Sequence, residues 1–498
     1  MTDAAASVPV RRLSDWDAAE LHTLVEDYGS PLYVLDLERV RENYRRLETA
    51  FPDAEILYAV KANALGDVLS TLHEAGAGLE CASAGEVQRA LEAGAAGSEI
   101  HYTAVNPPAR DLDWIVDAWA DEPALTVTAG SADTIDRLEE RGYDGRLCLR
   151  VNPGIGAGHH EKVKTGAAAK FGIPAERAVD VLTDAADRGF DVVGIHAHVG
   201  SGVSSDQLEA HREFVARMGD LARDVSEALR ASDSQTGSGA RRDRSERLDD
   251  ANGEGRPVSD ATREAREAVG GLEFVDVGGG FGVPYREDEG PLDLESVADA
   301  TREALGDVDA DLTIEPGRYF VADAGVLLTE VNTVKEARET TVTGVDAGMT
   351  TLIRPAMYDA YHPIRNLTAE TAGDGSSDRD ATDGAGREIV PQTVAGPICE
   401  SGDVFCAERE LPASERADIL AIGNAGAYGY EMANQYNTRP RPASIVLADG
   451  QARLARRRET VTDVTRPERE ARGVSDTSSG ARRDRSERLD EGAGRNDP

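Results

Sequence analysis

Cysteine is scarce in this chain of 498 residues: there are four, at 81, 148, 399 and 406. So few, so scattered, they exclude a disulfide scaffold and a zinc cluster. Long hydrophobic runs are missing too, and none approaches the ~20 apolar residues that cross a bilayer. The opening stretch MTDAAASVPVRRLSDWD has no long apolar centre and no small-residue cleavage signal, so the expected location is the cytoplasm. Basic residues are outnumbered, with 54 Lys and Arg against 92 Asp and Glu and a formal net charge of −38. Such a chain repels nucleic acid and anionic membrane surfaces. The acidic excess is spread along the whole length, which suits the solvated surface of a protein adapted to high salt, where screening removes most of the self-repulsion. A substrate-steering field would be concentrated in one region.

What the chain does have is a series of short apolar stretches. Eight of them occupy 56–60, 78–83, 100–105, 125–130, 147–152, 192–200, 274–280 and 311–317. Between most of them lies one Ala/Glu/Leu/Arg-rich helical pattern, such as AGEVQRALEAG after Ser83. That count of strand–helix units predicts an α/β chain with a (β/α)8 barrel, whose chemistry sits at the carboxyl ends of its strands. A mainly antiparallel β-domain follows, signalled by alternating segments such as TVTGVDAG and ASIVLADG. The expected domains are 1–35, a helix and strand joining the β-domain; 36–319, the barrel; 320–461, the β-domain; and 462–498, a polar disordered tail. Residues 232–258 and 370–388 are polar runs of the same kind, read as insertions on surface loops. The string SGARRDRSERLD stands at both 238–249 and 479–490, too far apart to build a solenoid. A docking or regulatory element is the alternative reading.

Several polar groups fall where barrel strands would end. Lys61 closes the apolar run of ILYAVKAN. An amine flanked by apolar residues loses hydration, its pKa falls, and it becomes a nucleophile toward an aldehyde; taken alone it also fits a snorkelling or paired lysine. The run GGGFG begins with Gly278, Gly279 and Gly280, which let backbone N–H groups approach a phosphate closely. A tight turn is the alternative, and the spacing is not that of a dinucleotide fingerprint. EPGR supplies Glu315, Gly317 and Arg318. A carboxylate facing a pyridine nitrogen would hold the ring protonated, and Arg318 could hold a phosphate or a carboxylate; Glu315 could equally be a surface turn before Pro316. HAHVGSG places His196 and His198 on one face of an extended strand, with Ser201 able to donate to a phosphate. A metal site would need a third protein ligand, and no HExxH or Cys pair offers one, so no metal is expected. His198 suits stacking on a flat ring, while His196 reads as a core or supporting residue. Later in the chain, Cys399 beside Glu400 could donate a proton, although a lone thiol is more often an inert one.

The motifs YAVKAN, HAHVGSG, DVGGGFG, EPGR, RPAMYDAYH, GPICESGD and GAYGYEMANQYN, in this order, resemble the diaminopimelate decarboxylase family of the alanine-racemase-like fold group, from about Gly29 to Leu447. The resemblance implies pyridoxal 5'-phosphate carried on Lys61, with His198 packed on its ring, Ser201 and Gly278 to Gly280 at its phosphate, and Glu315 at its pyridine nitrogen. It implies a substrate-binding set of Arg318, Arg354, Tyr358 and Glu400, with Tyr428 near both cofactor and substrate. It also implies a homodimer in which Cys399, the candidate proton donor, and Glu400 reach the partner's site. The implied reaction takes meso-diaminopimelate to L-lysine and carbon dioxide. The alternatives are decarboxylation of another basic amino acid or a carboxylated polyamine, and a non-catalytic PLP-binding protein. Two departures stand out: Glu80 where relatives usually carry Asp, and NPPA at 106–109; both are expected to alter loop detail rather than the chemical core.

Overall fold

The computed structural model describes residues 9–154, 171–198, 200, 207–236, 271–337, 340–371 and 387–473. Ser201 and both copies of SGARRDRSERLD lie outside these residues. The chain forms two compact units, one of Val40–Val283 with Pro291–Phe320, the other of Met1–Arg39, Pro284–Gly290 and Val321–Pro498. Among the described residues no helix is long and apolar enough to cross a membrane.

Strand β1 (Leu32–Asp36) belongs to the second unit, and the barrel strands follow it in the chain. They are β2 (Ala54–Ala59), β3 (Gly78–Cys81), β4 (Ile100–Tyr102), β5 (Thr126–Ala129), β6 (Arg146–Asn152), β8 (Asp191–His196), β9 (Phe274–Asp276) and β10 (Asp311–Ile314), with the two-residue β7 (Ile173–Pro174) attached to β6. All pair in parallel, and pairing of β5 with β6 closes the barrel. Closure leaves no exposed edge, so the strands can be short and apolar. Inside, Cys148, Val193 and Phe274 pack together, and burial pushes the Cys148 thiol well above its ordinary pKa, leaving it an inert core group. The intervening helices start where the sequence offers a cap: Ser83 accepts from the Glu86 N–H at the head of Ala84–Glu92, and Ser131 does the same for Ala132–Glu139.

The second unit is a mixed, mainly antiparallel sheet. Its strands are β1, β11 (Gly325–Ala337), β12 (Thr340–Val345), β13 (Ile364–Asn366), β14 (Ile389–Ala395), β15 (Val404–Pro412), β16 (Ile419–Ile422), β17 (Ala443–Ala448) and β18 (Gln451–Arg456). Among the described residues, only the β1–β17 and β12–β14 pairs of this sheet are parallel. The period of two explains why β1 is apolar from Leu32 to Leu35: Leu32 and Val34 enter one core cluster with Val326, Leu328 and Ile445, while Tyr33 points to the other face with Leu327 and Ile422.

Structure extends into three stretches expected to lack it. A helix spans Val461–Ala471, against the disordered tail expected from 462. It is nucleated by a capping box, in which Thr460 accepts from the Asp463 N–H and Asp463 accepts from the Thr460 N–H, and Asp463 also pairs with Arg457 at 2.5 Å. The helix Leu208–Thr236 runs past residue 232, tied by the Ser232 hydroxyl to Asp187 at 2.9 Å. At the other polar insertion the helix Leu367–Thr371 covers its first residues, and Arg387 pairs with buried Asp418 at 2.5 Å. A capping box, ion pairs and a side-chain hydrogen bond tie down the polar residues of these segments.

Candidate active site

At the carboxyl end of the barrel, four of the expected groups meet. Lys61 sits in a short 3-10 turn, Val60–Ala62, directly after β2. Its Nζ lies 2.5 Å from the Glu80 carboxylate at the end of β3, and 44% of the lysine side chain is accessible while Glu80 is 1% exposed. The expectation that Lys61 is desolvated is therefore corrected: the amine is half exposed and ion-paired, because the neighbouring strand ends on an acid. Glu80, expected to affect only loop detail, is in the centre of the site. Burial raises its pKa, the Lys61 charge opposes that rise, and the charge of Glu315 adds to it.

Glu315, the first residue after β10, is 5% exposed. Its Oε2 faces His196 Nε2 at 3.1 Å. Burial alone would raise its pKa, but the interactions with His196, Lys61 and Asp276 outweigh that and hold the carboxyl below the usual range. Asp276 closes β9, with its Oδ1 accepting from the Gly278 N–H at 2.7 Å. Burial and then the adjacent Glu315 charge push its pKa far up, so Asp276 keeps its proton while Glu315 is ionised. His196, Asp276 and Glu315 present ligand atoms within 4.8 Å of one another, which supplies the third protein ligand that the sequence had not revealed. Asp276, Glu315 and His196 thus form a buried acid–carboxylate–imidazole group. Glu315 Oε1 is buried and has no hydrogen-bond partner among the described residues.

The glycine turn is fixed by sterics. Gly278 has φ of +72°, and a Cβ there would lie 2.7 Å from His198 Nδ1; a Cβ on Gly279 would lie 2.2 Å from the Glu315 carbonyl oxygen. Only glycine fits so close to two neighbouring strand ends. The Gly279 N–H donates to His198 Nδ1 at 3.2 Å, which places the proton of a neutral ring on Nε2. Burial and the charges of Lys61 and Arg150 lower the His198 pKa to about 3, so the ring is uncharged at neutral pH. Gly317 packs on Ala59 and Ala62, and Arg318 begins the short helix Arg318–Val321.

These groups fit pyridoxal phosphate. The buried Glu315 Oε1, without a hydrogen-bond partner among the described residues, would suit a protonated ring nitrogen, and the neutral His198 ring would suit stacking on a flat ring. Ser201 cannot be placed against them, since it lies outside the described residues.

The remaining expected residues are in the second unit. Arg354, at the start of the helix Arg354–Tyr358, is 8% exposed, and Tyr358 at its end is half-buried. Among the described residues Arg354 pairs with no carboxylate; its NH1 donates to Tyr285 Oη at 3.1 Å and to His362 Nε2 at 2.9 Å. Cys399 and Glu400 are exposed on the turn before β15, with Asn437 Nδ2 3.4 Å from the Cys399 sulfur. Asp403 anchors that turn, accepting from the Met349 N–H at 2.5 Å and the Ile398 N–H at 2.7 Å. Tyr428 holds a positive φ of 55°, uncommon for an aromatic residue.

Three members of the barrel group were missed or undervalued from sequence: Glu80, Asp276 and His196. The readable signal was an acid within an otherwise apolar strand, GLEC and FVDV, since a buried carboxylate is retained only where something meets it.

Residues 37–252 and 254–322 match the family described as "Pyridoxal-dependent decarboxylase, pyridoxal binding domain". The chain is 38% identical over 463 residues to the diaminopimelate decarboxylase of Methanothermobacter thermautotrophicus, covering 90% of this chain and 93% of that protein. It is 33% identical over 470 residues to that of Escherichia coli, covering 91% and 96%. Among solved structures, diaminopimelate decarboxylase from Helicobacter pylori complexed with L-lysine superposes with a TM-score of 0.72 at 29% identity, covering 91% of this chain and 100% of that one.

Proposed function

Because the chain belongs to the diaminopimelate decarboxylases, within the pyridoxal-dependent decarboxylases, we propose that it decarboxylates the D-configured end of meso-diaminopimelate to give L-lysine and carbon dioxide. When bound, pyridoxal phosphate supplies the electron sink for the pair left on carbon as the carboxylate departs. The single observation that carries the reading is Glu315, an ionised, buried carboxylate with one oxygen held by His196 and the other unpartnered among the described residues. That group would keep a ring nitrogen protonated, which would deepen the sink that decarboxylation needs.

Lys61 would hold the cofactor by its aldehyde, and Glu80, 2.5 Å from its Nζ, would balance the lysine's positive charge whenever that nitrogen is free. His198 covers the ring face as a neutral imidazole. The glycine turn Gly278 to Gly280, with Ser201 and Arg318, would hold the phosphate and the adjacent anionic groups, although the Gly278 and Gly279 N–H groups are engaged by Asp276 and His198. Arg354 and Tyr358 take the distal carboxylate, Glu400 the distal ammonium, and Tyr428 borders cofactor and substrate. The Cys399 thiol delivers the proton that replaces the lost carboxylate on carbon. Cys399 and Glu400 of one protomer serve the barrel of its partner in a homodimer. The net charge of −38 supports work at high salt, and a cytoplasmic location is part of the same proposal.

The reading is tested by incubating the protein with pyridoxal phosphate at high salt and, separately, with meso-diaminopimelate, LL-diaminopimelate, ornithine and arginine. Carbon dioxide and lysine are expected from the meso compound alone. Faster release from ornithine or arginine would overturn the substrate assignment, because Arg354 would then have no carboxylate to meet.

A further inference from the structure

The buried Arg354 is held in an unusual way for a guanidinium. Its two protein partners are both on NH1, and both are neutral: Tyr285 Oη at 3.1 Å and His362 Nε2 at 2.9 Å. Among the described residues neither Nε nor NH2 has a hydrogen-bond partner, so one full edge of the fork is left open. That edge, two parallel N–H groups, is the one that binds a carboxylate in bidentate fashion.

The state of His362 follows from its partners. It is 1% exposed, and its Nδ1 lies 2.9 Å from the Gly423 carbonyl oxygen. A carbonyl only accepts, so Nδ1 carries the proton; a guanidinium only donates, so Nε2 offers a lone pair. His362 is thus the neutral Nδ1–H tautomer, and a second proton on it would set two donors face to face. The Gly423 N–H in turn donates to the Pro363 carbonyl at 2.9 Å, tying the residue after His362 to the same loop. Tyr285 meets the imidazole edge-on, with ring centroids 5.4 Å apart, and so packs against the ring beside Arg354.

We infer that His362 is a positioning residue for substrate recognition: it holds Arg354 by NH1 so that the Nε/NH2 edge is presented to the distal carboxylate of the substrate. This rests on the reading of Arg354 as the carboxylate-binding residue, and adds that a neutral histidine, with Tyr285, aims it.

The test is steady-state decarboxylation of meso-diaminopimelate by the holoenzyme in three variants. His362→Asn keeps a donor for the Gly423 carbonyl and removes the acceptor for Arg354. Its KM should rise roughly tenfold with kcat within about threefold of the parent, the loss expected of a hydrogen bond to a charged group that acts through binding. His362→Gln regains an acceptor at the reach of Nε2 and should bring KM back to within about threefold. A purely structural histidine predicts the reverse order, with Asn benign and Gln impaired, and that order would overturn the inference, as would an unchanged KM in His362→Asn. If His362→Asn does not fold, Tyr285→Phe takes its place: losing the second acceptor on NH1 should raise KM by roughly threefold, and an unchanged KM overturns the inference. Arg354→Lys separates the two readings, since an unaltered KM there defeats the role of Arg354 itself, whatever His362 does.

Discussion

Replacing Glu315 by Gln removes one negative charge and nothing else of size. The carboxylate is 5% exposed, and its charge is maintained by His196 at 3.1 Å and by a neighbouring Asp276 that keeps its proton. Two unit charges about 4 Å apart at an effective dielectric of about 20 attract by ~4 kcal/mol. Part of that is already present before carbon dioxide leaves, so a loss of about 3 to 4 kcal/mol in the transition state is the expectation. The turnover number should fall about a hundredfold to a thousandfold, with KM changed far less. Pyridoxal phosphate should still bind, since Lys61, His198 and the glycine turn are intact. The assay is carbon dioxide release under saturating meso-diaminopimelate, normalised to cofactor content measured by absorbance. The folded pKa of Glu315 is depressed, so its stabilising contribution is present above the unfolded value near 4.3 and disappears as pH falls through the folded one. The variant should therefore lose stability relative to the parent at neutral pH and approach it in acid. Near-normal turnover with full cofactor content would refute the role given to Glu315.

Reduction with borohydride and peptide mass mapping should place a pyridoxyl group on Lys61, and on none of Lys162, Lys164, Lys170 or Lys335; Lys61→Ala should lose the adduct. Glu80→Gln should lower the affinity of the site for the Lys61 charge but not weaken the fold at neutral pH. Burial raises the Glu80 pKa, so its ionised form disfavours the folded state, a penalty absent in acid that grows as pH rises from about 4.3 through the folded value. Melting temperatures at pH 5 and 8 check this, and a parent that gains on the variant as pH rises would contradict it. Mixing inactive Lys61→Ala and inactive Cys399→Ala subunits should restore activity above both parents once exchange is verified, whereas none despite exchange would reject a shared site. Thr460→Ala should cost the helix Val461–Ala471 about 1 kcal/mol, read as faster amide exchange over that segment alone.

The barrel was legible because each of its eight apolar stretches became a strand, and because Lys61, His198, the glycine turn and Glu315 stand just past strand ends, where such folds do chemistry. The environment of those groups was not legible. Lys61 looked apolar-flanked along the chain, yet its partner Glu80 comes from the next strand, a contact that only parallel pairing of β2 and β3 creates. The His196–Glu315–Asp276 cluster likewise joins three strand ends that are far apart in sequence. The short helix after Thr460 was hidden for the opposite reason: its signal is a capping box of polar residues, lost among the charges of the tail. His362 carried no signal of its own, since its role depends on Tyr285, which reaches the β-domain from a segment between two barrel elements.

The most direct test of the central claim is the product analysis of meso-diaminopimelate labelled with carbon-13 in both carboxyl groups, turned over by the holoenzyme in deuterated water. The account predicts one labelled carbon dioxide per lysine, with the lysine carrying its remaining label in the L-configured carboxyl group and one deuterium on the carbon that lost its carboxylate. Racemised diaminopimelate without carbon dioxide, or lysine of the D configuration, would contradict it.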